Sequence, residues 1–412
     1  MPAERDPSQM TDSITGSRDD AHVRIRLPIP LRSRERLLLG LVVLTTAAAG
    51  CPIGILPPGG VEDGNTNPDP SLTQGKRISG EPNDTFDQAL DLILSTEGIG
   101  NIHGYITQGD VDVYNLGPMA PGDRIRVDLD GRGAFDAAIA IFDDRGRLFI
   151  ENDDRDPDTQ QLDPFVNEVV RHSGSTYYLA VAAAPLAAAN TDIGIYTASI
   201  VVSRGEPVPP PRPQPVLLDF DGGIITIPGD QTYAVGPFDA ADIDAAYAGQ
   251  TVAVARSIID NVRSNFDGLA LVLYDTLDNK PPPGTTLSVV YFGGDSRTAF
   301  GISQAVDPYN HDPADSAIIF TETFSANTFG RLLTVDELGR AIGNIAAHEM
   351  GHLLGLNHVA DPADLMDTVG GPSTFLVDQQ FQESPLDSSI WPFGNQDGWL
   401  LLTEILGTAV PF

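Results

Sequence analysis

Along residues 78–205 the chain falls into short alternating runs of period two, separated by turn residues. Val111-Asp112-Val113-Tyr114, Arg124-Ile125-Arg126-Val127-Asp128-Leu129, Ala138-Ile139-Ala140-Ile141-Phe142, Tyr177-Tyr178-Leu179-Ala180-Val181 and Tyr196-Thr197-Ala198-Ser199-Ile200-Val201-Val202 are such runs. Side chains on a strand point to alternate faces, and strands at this regular spacing predict an all-β sandwich. Residues 216–412 read differently. Val216–Phe220, Ile224–Ile227, Leu269–Tyr274, Leu287–Phe292 and Ser316–Thr321 read as strands, and Asp242–Phe266 as largely helical, with Ala, Val and Ile on one face. Leu338, Ala341, Ile342, Ile345, Ala346 and Ala347 fall at helical spacing within a second helix, Val335–Gly355, and a last helical run covers Gln396–Leu406. The chain is therefore expected to be multidomain, with an N-terminal all-β sandwich followed by an α+β domain built on a mixed, twisted sheet.

Breaks in this pattern mark the boundaries. Residues 206–215 hold Pro207, Pro209, Pro210, Pro211, Pro213 and Pro215, a density that favours extended polyproline II and predicts a semi-rigid spacer between the two domains. Residues 52–77 are rich in Pro, Gly, Asn and Asp and read as a disordered linker. Before them, Arg32, Arg34 and Arg36 precede the apolar run Leu37–Leu44, which is too short to cross a bilayer as a stable helix. Residues 1–51 thus read as a targeting segment. Its end, Ala49-Gly50-Cys51, resembles the lipobox of bacterial lipoproteins. That resemblance implies lipidation of Cys51, the only cysteine in the chain, and attachment to the membrane through a lipid anchor. The expectation is an exported protein: a cell-envelope lipoprotein at the outer membrane or cell surface, or a secreted protein if the leader is simply cleaved.

Charge narrows the partners. With 57 acidic against 24 basic residues the formal charge is −33, which argues against nucleic acid as a partner, since that needs a positive footprint. It suits a soluble exported protein that takes up cations.

The chemistry concentrates in His348-Glu349-Met350-Gly351-His352-Leu353-Leu354-Gly355-Leu356-Asn357-His358, which holds three of the chain's seven histidines. On a helix His348 and His352 stand at i and i+4, so their imidazoles project side by side and can share one tetrahedral zinc. Glu349 points elsewhere, toward water at the metal, which is the position of a general base. Gly355 lets the chain leave the helix, and the turn brings His358 round as a third ligand. Met366 follows eight residues later.

This extended motif followed by a methionine resembles the metzincin metalloproteases, most nearly their matrixin-type branch. The resemblance implies that residues 216–412 are a zinc endopeptidase domain. His348, His352 and His358 would hold one catalytic zinc, Glu349 would be the base, and Met366 would be the turn methionine beneath the metal. The partner would be a protein or peptide substrate. The resemblance also makes Ser316–Thr321 the sheet edge that lines the cleft, Val335–Gly355 the active-site helix, Gln396–Leu406 the closing helix and Asp367–Phe381 the wall of a prime-side pocket. The competing expectation is an inert, surface-anchored binding protein that works through its sandwich, with the zinc purely structural.

In the sandwich, Glu81-Pro82-Asn83-Asp84, Gly109–Tyr114, Pro121-Gly122-Asp123, Asn152-Asp153-Asp154 and Gly174–Tyr178 resemble the bacterial pre-peptidase C-terminal domain. Glu81, Asn83, Asp84, Asp110 and Asp112 offer hard oxygen ligands, and the resemblance makes calcium a candidate there. His311 and Asp312, with Asp307 and Asp315, lie in a polar loop that reads as solvated, a structural zinc or calcium there being the alternative.

Overall fold

This computed structural model describes residues 80–155, 161–185, 187–227 and 231–409. Cys51, the 1–51 targeting segment and the 52–77 linker lie outside them. Nine strands come first: β1 (Leu90–Asp91), β2 (Ile99–Ile106), β3 (Val111–Met119), β4 (Arg124–Gly131), β5 (Ala137–Phe142), β6 (Leu148–Asn152), β7 (Phe165–Val169), β8 (Gly174–Ala183) and β9 (Gly194–Ser203). They form a five-stranded sheet ordered β1-β3-β8-β5-β6 and a four-stranded sheet ordered β2-β9-β4-β7. Ile125, Val127 and Leu129 of β4 and Ile200 and Val202 of β9 meet Ile139 and Ile141 of β5 and Leu179 and Val181 of β8 in one core. Strand β4 is buried at every second position, as half-buried strands should be. In β5, by contrast, all six residues are buried. The second face of its sheet is covered too, since Ala138, Ala140 and Phe142 pack on Leu386, Ile390 and Trp391 from the far end of the chain.

The second half contains β10 (Gln214–Asp219), the hairpin β11 (Gly223–Ile227) and β12 (Gln231–Val235), then β13 (Leu271–Asp275), β14 (Ser288–Phe292), β15 (Gly301–Ser303) and β16 (Ser316–Ile319), and a last pair, β17 (Glu383–Pro385) and β18 (Asn395–Asp397). Its helices are α1 (Ala240–Ile243), α2 (Thr251–Asn265), α3 (Ala326–Phe329), α4 (Val335–Leu353) and α5 (Gly398–Leu406). The main sheet is mixed, ordered β13-β10-β14-β16-β15. Its first four members are parallel and β15 is antiparallel at the edge. Helix α4 begins at a capping box in which Thr334 accepts from the Glu337 amide and Glu337 accepts from the Thr334 amide.

Four expectations need correcting. Strand β16 is interior, between β14 and β15, so Ser316–Thr321 is not the sheet edge; the edge is the three-residue β15, too short for any alternation to announce it. The helix expected over Asp242–Phe266 is broken between α1 and α2, where Asp244 caps a short 3-10 turn, Ala245–Tyr247. The last helix begins at Gly398 rather than Gln396, because Asn395–Asp397 pair with Glu383–Pro385. Finally, the proline-rich stretch expected over 206–215 as a semi-rigid spacer stops at 213 and is tied to both halves. Glu206 pairs with Arg124 at 2.7 Å, the Arg212 amide donates to Ile405, and Gln214 and Pro215 already belong to β10.

The sandwich and the second half are packed on each other within one unit. Tyr309 is buried and donates to the Phe149 carbonyl of β6 at 3.0 Å, with the Arg171 guanidinium 3.6 Å above its ring centre. His172 bridges Asp143 of the sandwich (3.2 Å) and Glu404 of α5 (2.8 Å). Burial alone would depress this imidazole, but its hydrogen bonds to Asp143 and Glu404 outweigh burial and push it up to about 9. The raised value has a stability consequence. The bridge contributes in full below the unfolded histidine value of about 6.5, and its contribution is lost as pH rises through about 9. We expect the melting temperature to fall by a few degrees between pH 6 and pH 9.5, for a loss of roughly 2 kcal/mol. His172→Gln should flatten that slope, and an unchanged slope in the variant would refute the bridge.

Candidate metal centre

Helix α4 ends in a Schellman arrangement: the Gly355 amide donates to His352 O at 2.8 Å and the Leu356 amide to Gly351 O at 2.9 Å. Gly355 takes φ +89°, and a Cβ there would sit 2.7 Å from the Asp307 carbonyl oxygen. The chain therefore reverses tightly and returns His358 to the face that carries His348 and His352. The three imidazoles converge. His352 Nε2 lies 3.2 Å from His348 Nε2 and 3.1 Å from His358 Nε2. All three residues are buried.

Their tautomers follow from the other ring nitrogens. His348 Nδ1–H donates to the Leu365 carbonyl and His352 Nδ1–H to the Leu356 carbonyl, each at 2.7 Å. Both Nε2 atoms are then bare lone pairs when the rings are neutral. Burial keeps them neutral, pushing His348 down to about 4, His358 to about 3 and His352 well below the usual range, with mutual repulsion adding to the last two. Lone pairs that face one another at about 3 Å repel unless a cation lies between them. Zinc–nitrogen bonds of about 2.0–2.1 Å at a tetrahedral angle put neighbouring nitrogens roughly 3.3 Å apart, so the donor set and its spacing fit zinc.

Glu349 sits beside this centre, fully buried, with neither carboxylate oxygen in a well-formed hydrogen bond. It packs on β15 so closely that a Cβ on Gly301 would fall 2.6 Å from Oε1. Burial drives its pKa well above the ordinary carboxylate value, and the nearby Ser303 amide only partly opposes this. Met366 lies under the helix: a Cβ on Gly351 would come within 2.5 Å of its Sδ. Its turn is pinned by Asp364, which is buried and accepts from the Met366 amide (2.9 Å) and the Ser384 hydroxyl (2.8 Å). Gln379, which donates to the Pro362 and Asp364 carbonyls, and Gln396, which bonds Asn357, escape a reading of sequence because these partners are distant in the chain. Residues 367–381 wrap against α4, where Asn344 donates to the carbonyls of Phe375 and Val377.

Elsewhere, His311 pairs with Glu168 of the sandwich at 3.5 Å, and Asp315 accepts from Ser288 at 2.7 Å. The structure does not gather this loop into a metal-ligand group among the described residues. On the sandwich, carboxylate oxygens of Glu81, Asp84 and Asp110 lie within 4.8 Å of one another. Beside them Asn83 is buried, with both amide atoms out of good hydrogen-bonding geometry. Asp112 is buried too, and its carboxylate is engaged by the Tyr196 hydroxyl. Burial and repulsion from Asp110, Asp112 and Asp84 push Glu81 up to about 7.

Fold and site together define a mainly β protein of several sheets, with three histidines that could hold a metal ion grouped at the end of the longest described helix. No protein-family model matches the chain, and no curated protein matches it. Solved structures match parts of it. A zinc-dependent peptidase from Methanocorpusculum labreanum is 13% identical over 40% of this chain and 93% of its own, with a TM-score of 0.25. Archaemetzincin from Methanopyrus kandleri is 14% identical over 41% and 87%, with a TM-score of 0.24. The pre-peptidase C-terminal domain of a Bacillus anthracis collagenase is 17% identical over 30% and 100%, with a TM-score of 0.21. With TM-scores this low, none of the three bears on what the chain does. No described helix is long and apolar enough to cross a membrane.

Proposed function

We propose that this chain is a zinc-dependent endopeptidase that hydrolyses peptide bonds of extracellular or cell-surface proteins. The observation that carries the proposal is the convergence of the His348 and His358 Nε2 atoms on that of His352, at 3.2 and 3.1 Å, beside the buried carboxylate of Glu349. His348, His352 and His358 hold the metal. Zinc, when bound, supplies a Lewis acid at the scissile carbonyl and makes water there a better nucleophile. Glu349 takes a proton from that water and delivers it to the departing amine nitrogen. Its burial shields the carboxylate from competing solvent. Leu365 and Leu356, through their carbonyls, fix two of the rings so that the Nε2 atoms face inward. No protein nucleophile takes part. The test is hydrolysis of a diverse fluorogenic peptide set by the purified full chain, lost on chelation and restored by zinc. Stoichiometric zinc without hydrolysis of any peptide would favour the inert binding protein instead.

A second observation supports calcium on the sandwich. The carboxylates of Glu81, Asp84 and Asp110 converge within 4.8 Å, and a cation there would relieve the repulsion that raises Glu81. Calcium that binds only the folded state raises the melting temperature as its concentration passes the dissociation constant. We expect a rise of several degrees at millimolar-scale calcium in the full chain, absent in Asp84→Asn. A melt identical in chelator and in calcium would return these side chains to the solvent.

A further inference from the structure

Two of the three histidines are held by their own surroundings, through the Leu365 and Leu356 carbonyls. Among the described residues, no carbonyl anchors the ring of His358 in this way. Its place is set by the backbone on either side, and that backbone is gripped by residues 383–397, the strap made by β17, β18 and the loop between them. Gln396, buried, accepts from the Asn357 amide at 2.7 Å and donates to the Asn357 carbonyl at 2.8 Å. The Asp387 amide donates to His358 O at 3.0 Å, and the Ala360 amide to Pro385 O at 2.8 Å. The strap thus holds the residue before the ligand, the ligand's own carbonyl and Ala360 two residues on.

The other side of the strap is held by the sandwich. The Asn395 amide donates to Gly146 O at 2.8 Å in the turn between β5 and β6. Phe393 packs edge-on to Phe86 with ring centres 5.0 Å apart, and Trp391 and Phe393 both meet Phe142. Arg147, largely buried, is clamped by Asp143 at 2.6 Å and reaches Asp397 at 3.4 Å. Asp397 in turn caps α5 by accepting from Leu400 at 2.9 Å and stands next to Gln396. One continuous path therefore runs from Arg147 through Asp397 and Gln396 to Asn357 and His358.

We propose that the β-sandwich is a working part of the metal centre, with Arg147 as a positioning residue that holds His358 in register through the 383–397 strap. The inference rests on the zinc reading above and adds to it: the second half of the chain does not keep its metal unaided. Partners one shell out from a metal ligand change metal affinity by about 10–100-fold when removed. Arg147 acts at greater distance, so an effect near the lower end is expected.

The test uses the full chain and zinc itself, with affinity read by competition against a chromophoric chelator. Arg147→Met, which keeps the apolar stem, should weaken zinc binding by about 10-fold. It should also alter the visible absorption of the cobalt-substituted protein, a readout of ligand geometry that a loss of stability alone does not move. Arg147→Lys should restore part of the affinity. Arg145→Met, an exposed neighbour in the same turn, should change nothing. Asp397→Asn serves if Arg147→Met folds poorly, because Asn keeps the helix cap while losing the ion pair, and it should show the same weakening. Parental zinc affinity and cobalt spectrum in both Arg147→Met and Asp397→Asn would overturn the proposal while leaving the peptidase reading intact. A parent chain that takes up no zinc would remove the peptidase reading, and this inference with it.

Discussion

Glu349→Gln is expected to lose peptidase turnover by on the order of 10³-fold while keeping its zinc. Glutamine has nearly the shape of glutamate, so it fits the same space against Gly301 and leaves the three Nε2 atoms where they are. What it lacks is a group that takes a proton from water at neutral pH. His352→Ala gives the complementary result. His352 Nε2 is the atom within 3.2 Å of one neighbour and 3.1 Å of the other, so its removal takes out the middle of the donor set. Zinc by mass spectrometry after dialysis should then be lost along with activity. The two variants separate loss of the base from loss of the metal. Parental turnover in Glu349→Gln would show that another group carries the proton.

The second large effect is expected at Gly355. Alanine there meets two penalties. A positive φ of +89° costs a residue with a Cβ about 1–2 kcal/mol. The new Cβ would also stand 2.7 Å from Asp307 O, 2.9 Å from Pro308 Cα and 3.0 Å from Tyr309 N, all of them backbone. That backbone has little room to yield. The Asp307 amide donates to His352 O at 2.9 Å, and the buried Tyr309 is tied to the sandwich through its hydroxyl. Overpacking of this kind adds about 1–3 kcal/mol. A total of roughly 3 kcal/mol should lower the melting temperature by several degrees, and His358, three residues on, should lose its alignment and the zinc with it. Gly355→Asn sorts the two causes. Asparagine tolerates the left-handed region but brings the same Cβ, so if crowding dominates it should be as damaging as alanine. A melt within a degree of the parent for Gly355→Ala would refute the close approach.

Much of the strand pattern was legible because burial on one face writes itself as alternation. Val111–Tyr114, Arg124–Leu129 and Tyr196–Val202 lie within β3, β4 and β9. Strands β1, β2, β6 and β7 are not legible in this way, β1 being only two residues long. Ile99–Ile106 carries Gly100, Gly104 and His103 among its apolar residues, so alternation is diluted, and β6 and β7 are only five residues each. Ala137–Phe142 reads as continuously apolar, which is the mark of a strand covered on both faces, but the residues that cover its outer face lie some 250 positions away in Leu386–Trp391.

The sequence by itself determined the local geometry: which stretches alternate, where α4 runs, and that His348 and His352 share a face of it while Gly355 ends it. These depend on spacing within a few residues, and spacing is what a sequence records directly. The tertiary structure alone decided the rest. It made β15 rather than β16 the sheet edge and set Gly301 against Glu349. It also turned the proline-rich stretch from a spacer into a tied connection and placed the sandwich behind the strap that holds His358. Each of these is a meeting between residues tens to hundreds of positions apart, and the side chains concerned, such as Arg147 and Gln396, look like ordinary surface residues until the chain closes over them.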